Sequence, residues 1–195
     1  MAGRISILEE NLLYKGWSTL IKYIISYTRR DGRKEEQTRE IYDSGDGAAV
    51  LMYNPEERKI ILIRQFRLAV MLNSDTDGFI LECPAGMLDE LHPEETIIKE
   101  IKEETGYEVT KVTKIYDAFA TPGAHKEKIH FYTADYHHDM RIHQGGGDIS
   151  EQEDIEVLEY SYNEISNLLS GGKIIDAKTI ILLQWAQLHL GSVNK

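Results

Sequence analysis

Three carboxylates stand close together in the stretch "KEIKEETGYEV", residues 99–109: Glu100, Glu103 and Glu104. On a helix turning about 100° per residue they share one edge, centred about 120° from the apolar stripe of Ile97, Ile98 and Ile101. Like charges at this spacing repel. Two readings follow from the helix alone. One is a solvated face, steadied by Glu95–Lys99 and Lys99–Glu103 pairs worth roughly 0.2–0.5 kcal/mol each. The other is a site for one or two hard cations, which prefer oxygen ligands. Arg67, in "RQFR", can hold phosphate oxygens in bidentate fashion. Arg64, three residues earlier on a strand, points to the opposite face. The histidines of "YHHDMRIH" lack the cysteines or the spacing of a zinc site. Cys83 reads as a packing thiol.

Composition narrows the chemistry. The 195 residues suit one domain with a small appendage, and 42% of them are hydrophobic, enough for a real core. The net charge is -11, from 22 basic and 33 acidic residues. Such a chain repels nucleic acid and anionic membrane surfaces, yet a small phosphorylated ligand can still be held by arginines or through a cation. One cysteine rules out an intrachain disulfide and suits a reducing compartment. The opening "MAGRISILEENLLYKGW" has no signal-peptide run. No stretch reaches the roughly 18 apolar residues of a membrane span. A soluble, cytoplasmic protein is expected.

The elements that must position these residues alternate in type. The first 45 residues read as strands, with a hairpin turning at "RRDGR" that needs a packing partner. "GAAVLMYN", "KIILIRQFR" and "GFILECPAG" read as buried strands, the last ending at Pro84 and Gly86. A helix follows, with Pro93 in its first turn and Gly106 just past its end. "EVTKVTKIYDAFA" and "KIHFYTADY" read as strands, and "HQGGGDISEQED" as a mobile loop. "SYNEISNLLSGG" and "DAKTIILLQWAQLHLG" read as helices closed by glycine. The order implies an α/β or α+β domain with a mixed sheet.

The run from Gly86, "GMLDELHPEETIIKEIKEETGY", resembles the Nudix box. That pattern is a glycine, five residues, a glutamate, seven residues, then Arg-Glu-apolar-x-Glu-Glu-x-Gly-apolar. Gly86, Glu100, Ile101, Glu103, Glu104, Gly106 and Tyr107 fit it. Lys99 replaces the arginine, the segment from Gly86 to Gly106 is one residue short, and the first glutamate is missing, with His92 nearest and Glu90 two residues away. "ECPAG" resembles the lead-in of the nucleotide-sugar branch. "TREIYD", "GDGAAVLMYN", "LIRQFR", "TPGAHKEKIHFY", "GGG…EQEDIEVLE" and "DAKTIILL" extend the similarity through nearly the whole chain, most closely to the GDP-mannose pyrophosphatases, near the ADP-ribose pyrophosphatases.

The resemblance implies an α/β/α sandwich over residues 46–195. It also implies a homodimer in which the strands of residues 1–45 are exchanged, and a need for magnesium, or manganese in its place. Glu100 and Glu104 match the main metal ligands, Glu103 completes the cluster, and Ala85 matches a ligand through its backbone carbonyl. Glu153 matches the loop glutamate that approaches the metals, with Glu151 as the competing choice. Substrate contacts fall on Trp17, Arg39, Glu40, Arg67, Gly86, Met87, Glu127 and Lys178. Without the family, Trp17 would be read as core and Lys178 as a helix-start lysine. The reaction implied is hydrolysis of the pyrophosphate of a nucleotide diphosphate sugar, GDP-mannose first and ADP-ribose second. A non-catalytic nucleotide-sugar-binding module is the alternative from another class.

Overall fold

Strands covered on both faces can afford uninterrupted apolar runs, and two such runs form the centre of the molecule. The computed structural model describes residues 3–88 and 92–190. These fall into two units. One takes in the chain up to Asp46 together with Phe119–Lys128; the other takes in Gly47–Ala118 and the chain from Ile129 onward.

The first unit is a three-stranded antiparallel sheet in the order β1 (Ile5–Lys15), β2 (Thr19–Thr28), β3 (Lys34–Asp43). The expected hairpin is its β2–β3 half, turning at Asp31-Gly32, where Gly32 takes a φ of +87°. The rest of the expected strand region is β1, whose bounds "SILEENLLYK" conceals because its apolar residues do not alternate. The structure shows why: register shifts interrupt the β1–β2 pairing at Ile7/Glu9 and at Leu12/Tyr14, breaking the two-residue period.

In the second unit, β4 (Gly47–Asn54) and β5 (Lys59–Phe66) are the two buried runs. The sheet also holds β6 (Phe79–Glu82), β7 (Ala85–Met87), β8 (Thr113–Phe119), β9 (Lys128–Asp135) and β10 (Glu156–Ser161). Its main order is β10-β5-β4-β9-β8, with β6 paired to β5 and β7 to β4. The β4–β9 pair is parallel, which makes the sheet mixed. "GFILECPAG" is thus two short strands on different neighbours, divided at Cys83-Pro84. Two further elements were not expected: the six-residue helix α1 (Leu68–Asn73), too short for a periodic signal, and the edge strand β10.

Alternation along β4 sends Ala49 and Leu51 to one face, with Ile165 and Leu168 of α3 (Tyr162–Ser170) and Leu182, Leu183 and Ala186 of α4 (Ala177–His189). Ala48, Val50 and Met52 face the other side, with Ile97 of α2 (Pro93–Glu100) and Ile101. The domain is therefore the expected α/β/α sandwich. Helix α3 ends at Gly171. Helix α4 ends at His189 with Leu190 as its cap, and Gly191, the glycine expected to close it, lies outside the described residues.

Candidate active site

Helix α2 opens on Pro93, and it passes without a break into a π-turn, Ile101–Thr105, that Gly106 closes at a φ of +79°. The π-turn holds one residue more than an α-turn, so the even 100° spacing expected of the three glutamates breaks here. Their environments then differ. Glu104 is only 1% exposed and accepts a hydrogen bond at 3.1 Å from the backbone N–H of Ala85. Glu100 lies flat against Gly86: a Cβ there would stand 2.2 Å from its Oε1, so only glycine admits this approach. Glu103 turns toward Lys99, with 3.1 Å between Nζ and Oε2. Among the described residues, no three acidic, histidine or cysteine side chains close into a complete metal cage.

Burial pushes the Glu100 carboxyl up to about 7; Glu103, Glu153 and Glu151 add to the rise and Lys99 opposes it. Burial also raises Glu104 well above the usual carboxylate range, helped by the charges of Glu100 and Glu153. Two carboxylates so disfavoured as anions gain from an added cation. Hard oxygen donors in this number fit magnesium or manganese.

The loop after β9 is held at its glycine end. Gly146 and Gly147 donate backbone hydrogen bonds of 2.9 and 3.1 Å to the carbonyls of Glu104 and Glu103. Gly145, at a φ of +75°, packs so closely that a Cβ would stand 2.4 Å from the carbonyl oxygen of Glu104. The glycines of this loop let it seat against the end of the acidic helix. From that anchor Glu153 folds back over Gly147 and accepts the N–H of Asp148 at 2.9 Å. Its charge bears on both Glu100 and Glu104, and on Glu100 more than Glu151 does. Glu151 sits in an exposed 3-10 turn, residues 149–151.

A second cluster brings two cations together with two carboxylates. Arg67, just before α1, donates from Nε and Nη2 to Glu82 at 3.0 and 2.7 Å. Lys178, in the first turn of α4, pairs with Asp176 at 2.7 Å and lies 3.8 Å from Glu82. Burial works against the Arg67 charge, but Glu82, Glu104 and Asp176 outweigh it and raise the pKa. Burial also opposes the Lys178 charge, and Glu82 and Asp176 overcome it. Arg64 behaves as its strand position predicted: it faces Asp77 and Glu156 and covers the ring of Phe79. Met87 is exposed at the end of β7. His92 precedes α2 and caps it with its backbone carbonyl alone, which accepts the N–H of Thr96. Glu90 lies outside the described residues.

The remaining candidates lie in the first unit. Trp17, between β1 and β2, is 76% exposed, so this chain does not bury it as core. Arg39 and Glu40, both exposed, stand on β3 opposite Tyr23 and Lys22. Glu127 faces His125 at 3.7 Å. Sequence reading passed over Glu82 and Asp176. Both stood in segments it quoted, "ECPAG" and "DAKTIILL", but their partners come from distant parts of the chain.

A model of the NUDIX domain matches residues 43–182. A model described as the GDP-mannose pyrophosphatase NudK N-terminal domain matches residues 4–42. The chain therefore belongs to the Nudix family. It is 45% identical over 186 residues to a GDP-mannose pyrophosphatase of Pectobacterium atrosepticum, covering 95% of each chain. It is 42% identical over 189 residues to one of Yersinia enterocolitica, covering 97% of this chain and 98% of the relative. A third relative with the same name, from Shigella flexneri serotype 5b, is 40% identical over 191 residues, covering 97% and 99%.

Proposed function

We propose that this protein is a pyrophosphatase that hydrolyses the diphosphate of GDP-mannose to GMP and mannose 1-phosphate with magnesium. The observation that carries the reading is the pairing of two cation-deficient carboxylates, the half-buried Glu100 and the buried Glu104, with two half-buried cations, Arg67 and Lys178. A diphosphate has matching needs: its anionic oxygens repel a nucleophile until positive charge surrounds them. Full-length relatives named for this substrate favour it over other nucleotide sugars.

Glu100 and Glu104 would hold the cation, with Glu103 and the Ala85 carbonyl as further oxygen ligands. The bound cation supplies charge neutralisation and a lowered pKa for a water molecule. Arg67 binds phosphate oxygens through the guanidinium edge that Glu82 leaves open, and Lys178 adds a second positive charge. Glu153, placed over the acidic helix by the glycine loop, takes the proton from the attacking water. Gly86 and Met87 line the substrate side of the acidic helix. Trp17, Arg39, Glu40 and Glu127 would contact the nucleotide or the sugar. The apolar residues exposed on β1 support a homodimer with exchanged N-terminal strands. The lone, fully buried Cys83 suits the cytoplasm.

The test is a hydrolysis panel of GDP-mannose, ADP-ribose and other nucleotide sugars, with magnesium and with chelator. GDP-mannose is expected to show the highest kcat/KM, and only with the metal. A higher value for ADP-ribose would reassign the substrate. Binding of nucleotide sugar without cleavage would make the protein a binding module.

A further inference from the structure

Glu82 is 2% exposed and has no task in the scheme above. We propose that it is the positioning residue that sets Arg67 and Lys178 at a fixed spacing, as a two-pronged seat for adjacent phosphoryl groups; this rests on reading the site as one for a diphosphate. Its two oxygens divide the work. Oε2 accepts from Gln65 Nε2 at 3.0 Å and from Arg67 Nε and Nη2 at 3.0 and 2.7 Å. Oε1 faces Lys178 Nζ at 3.8 Å. One carboxylate at the end of β6 thus references two cations borne on separate elements.

The second prong is held independently at its base. The backbone N–H of Cys83, next to Glu82, donates to Thr179 Oγ1 at 2.7 Å. That hydroxyl donates to Asp176 Oδ2 at 2.7 Å, and Asp176 Oδ1 accepts from Lys178 Nζ at 2.7 Å. The start of α4 is therefore stapled to the residue beside Glu82. Two anions balance two cations, so the cations can stand near each other before substrate arrives. Among the described residues nothing pairs with Arg67 Nη1, which leaves that edge for a phosphate oxygen. A buried ion cluster adds little net stability over apolar packing. The ordering of two long, rotamer-rich side chains is what it does supply.

The test measures binding of inorganic pyrophosphate with magnesium by calorimetry, alongside GDP-mannose kinetics, for wild type, Glu82→Gln, Glu82→Asp, Arg67→Ala and the Glu82→Gln/Arg67→Ala pair. Glu82→Asp keeps the charge balance and withdraws the carboxylate by one methylene, so it guards against misfolding of Glu82→Gln. Both single Glu82 variants are expected to weaken pyrophosphate about tenfold and to raise KM more than they lower kcat, the signature of lost uniform binding. The double variant should lose less than the two single losses added, because part of what Glu82 does acts through Arg67. Folded Glu82→Asp with wild-type affinity, or a double variant whose losses add, overturns the proposal. If wild type binds pyrophosphate, loses affinity with Glu82 and yet leaves nucleotide sugars intact, the positioning role stands and the proposed activity falls.

Discussion

The role proposed for Glu104 would come at the expense of stability. Glu104 is buried, hydrogen-bonded to Ala85 and raised well above its ordinary pKa by burial and by its neighbours. Replacing it by an amide of the same shape removes an ill-compensated charge. Glu104→Gln is therefore expected to melt no lower than wild type in chelator, and to lack the rise in Tm expected when magnesium is added to wild type. Its turnover should fall at least about a hundredfold, since a catalytic metal supplies several kcal/mol of transition-state stabilisation. A Glu104→Gln protein that still turns over at the wild-type rate would remove the metal assignment. Asp176 offers a pH test. Burial tends to raise it, but the charge and hydrogen bond of Lys178 and the hydrogen bonds from Thr179 hold it below its ordinary 3.8. A carboxyl lowered in the folded state stabilises the protein above that ordinary value, and the contribution disappears as pH falls through the folded one. The gap in denaturant midpoint between wild type and Asp176→Asn should thus be full at pH 6 and close toward pH 2.

Glycines that admit close approach decide how the elements meet. Gly86→Ala would drive a methyl into Glu100, because the new Cβ would stand 2.2 Å from Oε1. Magnesium affinity, read by calorimetry, is expected to fall about 10–100-fold, with the circular dichroism spectrum unchanged. Gly145→Ala puts a side chain at a φ of +75° against the carbonyl of Glu104. A stability loss of about 1–3 kcal/mol in urea unfolding is expected, together with reduced turnover as Glu153 is displaced. The sequence displayed the acidic helix well, because its period, its proline start and its glycine stop all lie within one short run. It displayed β1 as strand without its bounds, because bulges break the alternation, and it did not display β10, a short edge strand. The π-turn was invisible, since a single widened turn changes no residue pattern. Glu82 went unassigned for another reason: its partners, Gln65, Arg67 and Lys178, meet it only once β5, β6 and α4 are assembled.

Among the described residues, those of the first unit leave the apolar side chains of β1 uncovered. Ile5, Ile7, Leu8, Leu12 and Leu13 on β1 are each about half exposed or more, and scattered apolar residues rarely gather this way without a partner. Light scattering is expected to return twice the 22.4 kDa chain mass for wild type and the single-chain mass for Leu12→Asp. A wild-type monomer at micromolar concentration would sink the exchanged-strand proposal. The seating of Gly146 and Gly147 on the carbonyls of Glu104 and Glu103 also bears on the order in which the chain becomes competent. During synthesis the acidic helix leaves the ribosome well before the loop that braces its end, and earlier still than Lys178. Contacts so far apart in sequence form late. A nascent chain released at residue 144 should therefore hydrolyse no nucleotide sugar, so that only the finished protein draws on the cell's sugar-nucleotide pool.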